Sequence, residues 1–161
     1  MDYHQGFLYS FVAAAICVGL GFIAHELSHK YLAQRYGAWA EFRANDVFLF
    51  VAVAMSFLGF VFAAPGAVVI KGTVTRKQLA KIDAAGICAN IVIALLFFAL
   101  YMGFSNPFLR YGMVINGWLA LFNLIPIAPF DGAGLFRNNK ALFFVLAGLA
   151  FGLQLLGMIV P

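Results

Sequence analysis

An all-α integral membrane protein is the fold class the sequence predicts: a polytopic helical bundle of about four spans, with a membrane-dipping apolar segment and small edge strands. Three observations predict it. Of 161 residues, 65% are hydrophobic and 10% charged, and mean hydropathy is +0.97, whereas a water-soluble domain needs a larger polar share to cover its surface. The apolar residues gather into stretches near the roughly 20 residues that a helix needs to cross a bilayer. The ten basic residues sit in short segments between those stretches, where loop charge orients a membrane protein. The length suits one membrane-embedded domain, residues 1–161. A net charge of +4 dispersed in this way does not form the basic patch of a nucleic-acid partner.

The first stretch, residues 7–24, runs on into HELSHKYLAQRYG. Residues 1–6 carry no basic side chain and no small-residue cleavage pattern follows, so a retained helix is expected rather than a signal peptide. That helix should continue to about Tyr36, where Gly37 offers a stop. Residues 84–104, 111–127 and 141–160 read as further spans. Residues 47–64 are different. Lys30, Arg35 and Arg43 precede them and Lys71, Arg76, Lys77 and Lys81 follow; a true span would put these groups on opposite faces, against the positive-inside tendency. A segment that dips and returns keeps both groups on one face with Arg137 and Lys140, and leaves Arg110 opposite. The flanking residues 40–43 and 67–71 are β-prone and predict small strands at the membrane edge. Cys17 and Cys88 lie in apolar stretches without a CxxC pattern and read as buried small hydrophobes.

His25, Glu26, Leu27, Ser28 and His29 spell H-E-x-x-H near the end of the first helix. The i, i+4 spacing sets both imidazoles on one face, where they can share one zinc ion per chain, and Glu26 stands close enough to act as general acid/base on water there. The plainer reading is that two histidines and a glutamate mark the wet end of a helix, and the context weakens it. Two of the chain's three histidines fall in this one turn, after eighteen largely apolar residues, and ionisable groups near membrane depth are costly unless they serve a function.

A catalytic zinc needs a third protein ligand. Asp2, Glu41, Asp46, Asp83 and Asp131 are the other acids and His4 the spare histidine. Asp131 follows an apolar helix interrupted by Pro126 and Pro129, which lack backbone donors and should end that helix. The plainer reading makes Asp131-Gly132 a turn dipeptide. If residues 47–64 dip, the first helix and residues 111–127 run parallel and bring His25, His29 and Asp131 to one depth. Asn90 and Asn123 are amides inside apolar helices. Both fit helix-to-helix hydrogen bonding, and Asn123, eight residues before Asp131, also suits contact with a substrate backbone or a developing oxyanion.

Taken together, HELSH (25–29), AGICAN (85–90) and NLIPIAPFDG (123–132) resemble the motifs of the site-2 protease family of intramembrane zinc metalloproteases. The last is similar to the family's NxxPxxPxDG pattern throughout. The resemblance implies that His25, His29 and Asp131 bind zinc, that Glu26 activates water, and that Asn123, with Asn90 in a related role, holds substrate near the metal. It implies cleavage of a peptide bond in or beside a transmembrane segment of another protein, in a prokaryotic cytoplasmic membrane. Charge bias puts the active site toward the cytoplasmic face. Ile87 stands where the family has proline, and residues 47–64 look like an insertion between the edge strands. No PDZ-like or CBS-like module is expected. The competing functions are a non-catalytic membrane-protein-binding homologue and a membrane-bound zinc peptidase acting on soluble peptides.

Overall fold

A computed structural model describes residues 3–44, 46–47, 50–51, 54 and 66–159. The elements described in full are α1 (Tyr3–Arg35), β1 (Trp39–Ala44), β2 (Gly66–Lys71), α2 (Arg76–Phe104), α3 (Pro107–Asn123), α4 (Asp131–Asn138) and α5 (Lys140–Ile159). Helix α2 packs against α1, α3, α4 and α5.

The helix boundaries follow local chemistry. Helix α1 stops where Gly37 takes a φ of +79°, a conformation that suits a residue without a side chain. The turn is closed by the Ala38 N–H, which donates to the Ala33 carbonyl at 3.1 Å. Thr75 starts α2 with a capping box: its hydroxyl accepts from the Gln78 N–H, and the Gln78 side chain accepts from the Thr75 N–H at 2.8 Å. Ser105, left-handed at φ 48°, ends α2. Asn106 then caps α3 by accepting from the Phe108 N–H, with Pro107 in the first turn. So short a connection makes α2 and α3 antiparallel neighbours.

The hairpin is antiparallel, with Trp39 opposite Lys71 and Ala44 opposite Gly66. These strands contain the segments expected from sequence, extended by a residue or so at their ends. The expected dip of residues 47–64 lies outside the described residues but for Val47, Phe50, Val51 and Ala54. Ala44 and Gly66, which flank that stretch, stand side by side.

Leu8–Arg35, α2 and α5 are long and apolar enough to cross a membrane, and their large exposed side chains, among them Phe11, Leu20, Leu96, Phe144 and Leu149, suit a lipid solvent. Helix α3 has 17 residues, or about 25 Å at 1.5 Å per residue. It is thus shorter than the ~30 Å hydrocarbon core. The interior joins Ala84, Ile87, Ile91 and Ala94 of α2 to Ala120 of α3, Leu124 beyond its end, Leu135 of α4 and Phe143, Leu146, Ala150 and Leu153 of α5.

Helix α4 is held to that core at both ends of its first turn and a half. Leu135 is fully buried, and Gly132 lies so close to the Leu124 and Ile125 backbone that a Cβ there would collide with the Leu124 carbonyl. Backbone atoms cannot swing aside as a side chain can. Gly132→Ala should therefore lower stability by about 1–3 kcal/mol, read as an earlier unfolding transition in detergent. Gly148→Ala, where a Cβ would meet nothing within 4 Å, should leave the transition unchanged or raise it. Equal behaviour of the two variants would show that α4 is not seated this tightly.

Candidate metal centre

His25 and His29 lie one turn apart on α1, and both are buried. Asp131 opens α4. The fold brings the three together: His25 Nε2 and His29 Nε2 are 3.0 Å apart, and Asp131 Oδ2 is 3.0 Å from each.

The other imidazole nitrogens decide what this triangle is. His29 Nδ1 is 2.7 Å from the Ile82 carbonyl; a carbonyl can only accept, so the proton of a neutral His29 is on Nδ1 and its Nε2 presents a lone pair. His25 Nδ1 is 2.7 Å from Asn90 Oδ1. That amide's orientation is set by its neighbours, because Asn90 Nδ2 donates to the Gly21 carbonyl at 3.1 Å and to Asn116 Oδ1 at 3.3 Å. Asn116 in turn donates to the Cys17 and Gly112 carbonyls. His25 therefore also keeps its proton on Nδ1.

Two imidazole lone pairs and a carboxylate oxygen thus converge at 3.0 Å with no donor among them. Only a cation relieves such an arrangement: a shared proton or a metal ion. The three atoms lie within 4.8 Å of one another. A His₂-carboxylate set with partners on the outer imidazole nitrogens is a zinc-type donor set, with typical ligand distances of ~2.0–2.2 Å. Burial alone would push the Asp131 carboxyl up; when a proton is the shared cation, the charge on the facing His29 and the hydrogen bonds that proton makes to Asp131 outweigh burial and hold the group below the usual carboxylate range. Space for the group comes from Gly86 on α2, where a Cβ would fall 2.6 Å from His25 Nε2 and still nearer His29 Nε2.

Glu26 follows His25 on the helix and lies within electrostatic reach of His25, His29 and Asp131. Its Oε2 is buried without a hydrogen-bond partner among the described residues. A buried acceptor left open beside a metal-type cluster is suited to take a proton from water.

Comparison with known proteins adds a relative from Methanocaldococcus jannaschii whose curated name is "Putative zinc metalloprotease MJ0611". The two are 40% identical over 154 residues, an alignment spanning 91% of this chain and 78% of the relative. The chain belongs to this zinc metalloprotease family. No family profile matches it, and no solved structure does.

The metalloprotease places its two sequence-predicted asparagines differently. Asn90 sits behind His25, its carbonyl and amide turned to His25, Gly21 and Asn116, so its contact is with a ligating histidine. Asn123 is half-buried and its Nδ2 donates back to the Leu119 carbonyl of its own helix at 3.0 Å. Asn116 went unnoticed in the sequence, although it is an amide in an apolar helix like the other two. Asp83, set aside there as a third ligand, has a buried Oδ2 without a hydrogen-bond partner among the described residues. It packs where a side chain on Gly134 would collide with it.

If Asn90 fixes the His25 ring, Asn90→Ala should weaken zinc binding by about 10–100-fold in a competition titration, with helical content retained. Asn116→Ala, which reaches His25 only through Asn90, should cost less. Undiminished zinc affinity in Asn90→Ala would show that His25 needs no such partner.

Proposed function

We propose that the protein is an intramembrane zinc metalloprotease of the site-2 type, hydrolysing a peptide bond in or beside a transmembrane segment of another membrane protein. The observation that carries the proposal is the position of the His25, His29 and Asp131 triangle. Two of its ligands and Glu26 belong to a helix whose neighbouring turns expose Leu20, Ile23 and Leu27 outward, so the chemistry sits on the same helix turns that face an apolar solvent. The motifs at 25–29, 85–90 and 123–132 support the same reading.

On this proposal α3 is the fourth span, shorter than the others because the chain must turn at Pro126 and Pro129 to deliver Asp131. The substrate is a protein embedded in the same bilayer. The compartment is a prokaryotic cytoplasmic membrane with the site toward the cytoplasmic face, where the basic residues around the hairpin would gather.

A zinc ion held by His25, His29 and Asp131 supplies Lewis acidity, polarising the scissile carbonyl and acidifying water. The open Glu26 Oε2 takes the proton of the attacking water and returns it to the departing amide nitrogen. Asn90 holds the His25 ring and the Ile82 carbonyl holds the His29 ring, so neither must reorient as charge develops. Asn123 has a carbonyl oxygen available for a substrate N–H, and in this proposal it steadies the unwound substrate strand.

Glu26→Gln is the decisive variant. Elemental analysis should find about one zinc per chain, as in the wild type, while cleavage of a membrane-spanning substrate in liposomes falls on the order of 10²–10⁴-fold. Retained cleavage would remove Glu26 from its role. A soluble peptide cut as fast as the spanning substrate would replace the intramembrane reading with that of a membrane-bound peptidase.

A further inference from the structure

At the opposite end of α3 from Asn123, about 20 Å away at 1.5 Å per residue, lies a cavity of about 460 Å³ between α3 and α5. Arg110, Tyr111 and Gln154 form its polar wall, and Val114, Trp118 and Met158 its apolar one. It shares no lining residue with the metal centre.

Two side chains of the polar wall already donate to the fold. Gln154 is buried and its Nε2 gives one proton to the Val114 carbonyl at 2.9 Å. Arg110 Nη2 donates to the Gly157 carbonyl at 3.0 Å. Gly157 lies in the last turn of α5, where carbonyls lack intrahelical partners, and a cation suits that end of a helix dipole. A structural cap explains that bond. It does not explain the rest of the guanidinium, because Arg110 Nε is buried without a hydrogen-bond partner among the described residues and a neutral carbonyl leaves the charge in place. No carboxylate pairs with Arg110 among those residues either.

We infer that this cavity binds the phosphate of an anionic phospholipid, with Arg110 as its charged anchor. An anion against the guanidinium answers the charge that no carboxylate balances among the described residues. The occupant is a lipid because the wall beyond Arg110 is apolar over the next two turns of α3, through Val114 to Trp118, and across from them at Met158 of α5, with Trp118 and Met158 largely exposed; an acyl chain would run along that wall while the headgroup meets Arg110 and the Tyr111 ring. A tyrosine beside a basic residue is suited to the depth at which headgroup gives way to hydrocarbon. The inference rests on the bilayer placement proposed above and is independent of proteolysis.

Trp118 is a built-in reporter, since Trp39→Phe leaves it the sole tryptophan. In Trp39→Phe protein freed of native lipid, brominated phosphatidylglycerol should quench Trp118 at a concentration about fivefold or more below that needed by brominated phosphatidylcholine. Arg110→Gln should abolish the difference while zinc content and helicity stay unchanged. Val114→Phe, which fills the cavity but keeps the arginine, should abolish it as well and decides the matter should Arg110→Gln not fold.

Equal quenching by the two lipids in the parent protein, or a preference that survives in Val114→Phe or in folded Arg110→Gln, overturns the inference. So does full competition by inorganic phosphate, which would make the cavity a soluble-anion site. Failure of either lipid to quench Trp118 at all would count instead against the bilayer placement itself.

Discussion

Two hydrogen bonds of 2.7 Å, from His29 Nδ1 to the Ile82 carbonyl and from His25 Nδ1 to Asn90 Oδ1, decide which face of each imidazole remains for a metal. Both acceptors belong to α2, so the donor set depends on how closely α1 and α2 approach. Gly86 sets that approach: a side chain there would occupy the space of the two Nε2 atoms. Helix α1 is therefore incomplete as a donor set until α2 is packed against it.

A polar centre inside an apolar bundle has to be satisfied without water, since an unpaired buried donor or acceptor costs a large part of a domain's net stability. The chain solves this with a relay. Backbone carbonyls of Cys17, Gly21 and Gly112 accept from Asn116 and Asn90, and Asn90 passes its own acceptor to His25. Every amide proton assigned to this relay ends on a carbonyl that cannot donate, which leaves one orientation for each side chain. Glu26 Oε2 and Asp83 Oδ2 are the carboxylate oxygens that stand outside such pairing among the described residues, and both lie near Asp131 in the field of the ligands.

Much of this was legible in the sequence, and the reasons differ from element to element. The i, i+4 histidines and the strand segments depend on local periodicity, which survives folding unchanged. Asp131 could be singled out because two prolines end the helix before it. The partner of an amide is not local. Asn90, Asn116 and Asn123 carry the same signal, a polar side chain in an apolar helix, and only the crossing of α1, α2 and α3 separates the amide that orients His25 from the one that supports it and the one bonded to its own helix. The length of α3 was also obscured, because an apolar run extends past Asn123 to Ile127 while the backbone has already turned after Leu124.

That early turn is what brings a carboxylate far along the chain up to the two histidines. Asp131 is not carried by a spanning helix; it opens α4, whose N-cap residue, Phe130, makes no side-chain capping bond. The unsatisfied N–H groups of a first turn favour a negative charge, so α4 stabilises the ionised form of the carboxylate that faces the two histidines. Leu135 roots the same helix in the core shared with α2 and α5, and Gly132 lets it lie directly on the Leu124 and Ile125 backbone. The position of Asp131 Oδ2 is thereby tied to the packing of α2, which also orients both histidines. One helix thus governs all three side chains of the triangle, so a disturbance that shifts α2 would disperse the donor set as a unit rather than remove its members singly.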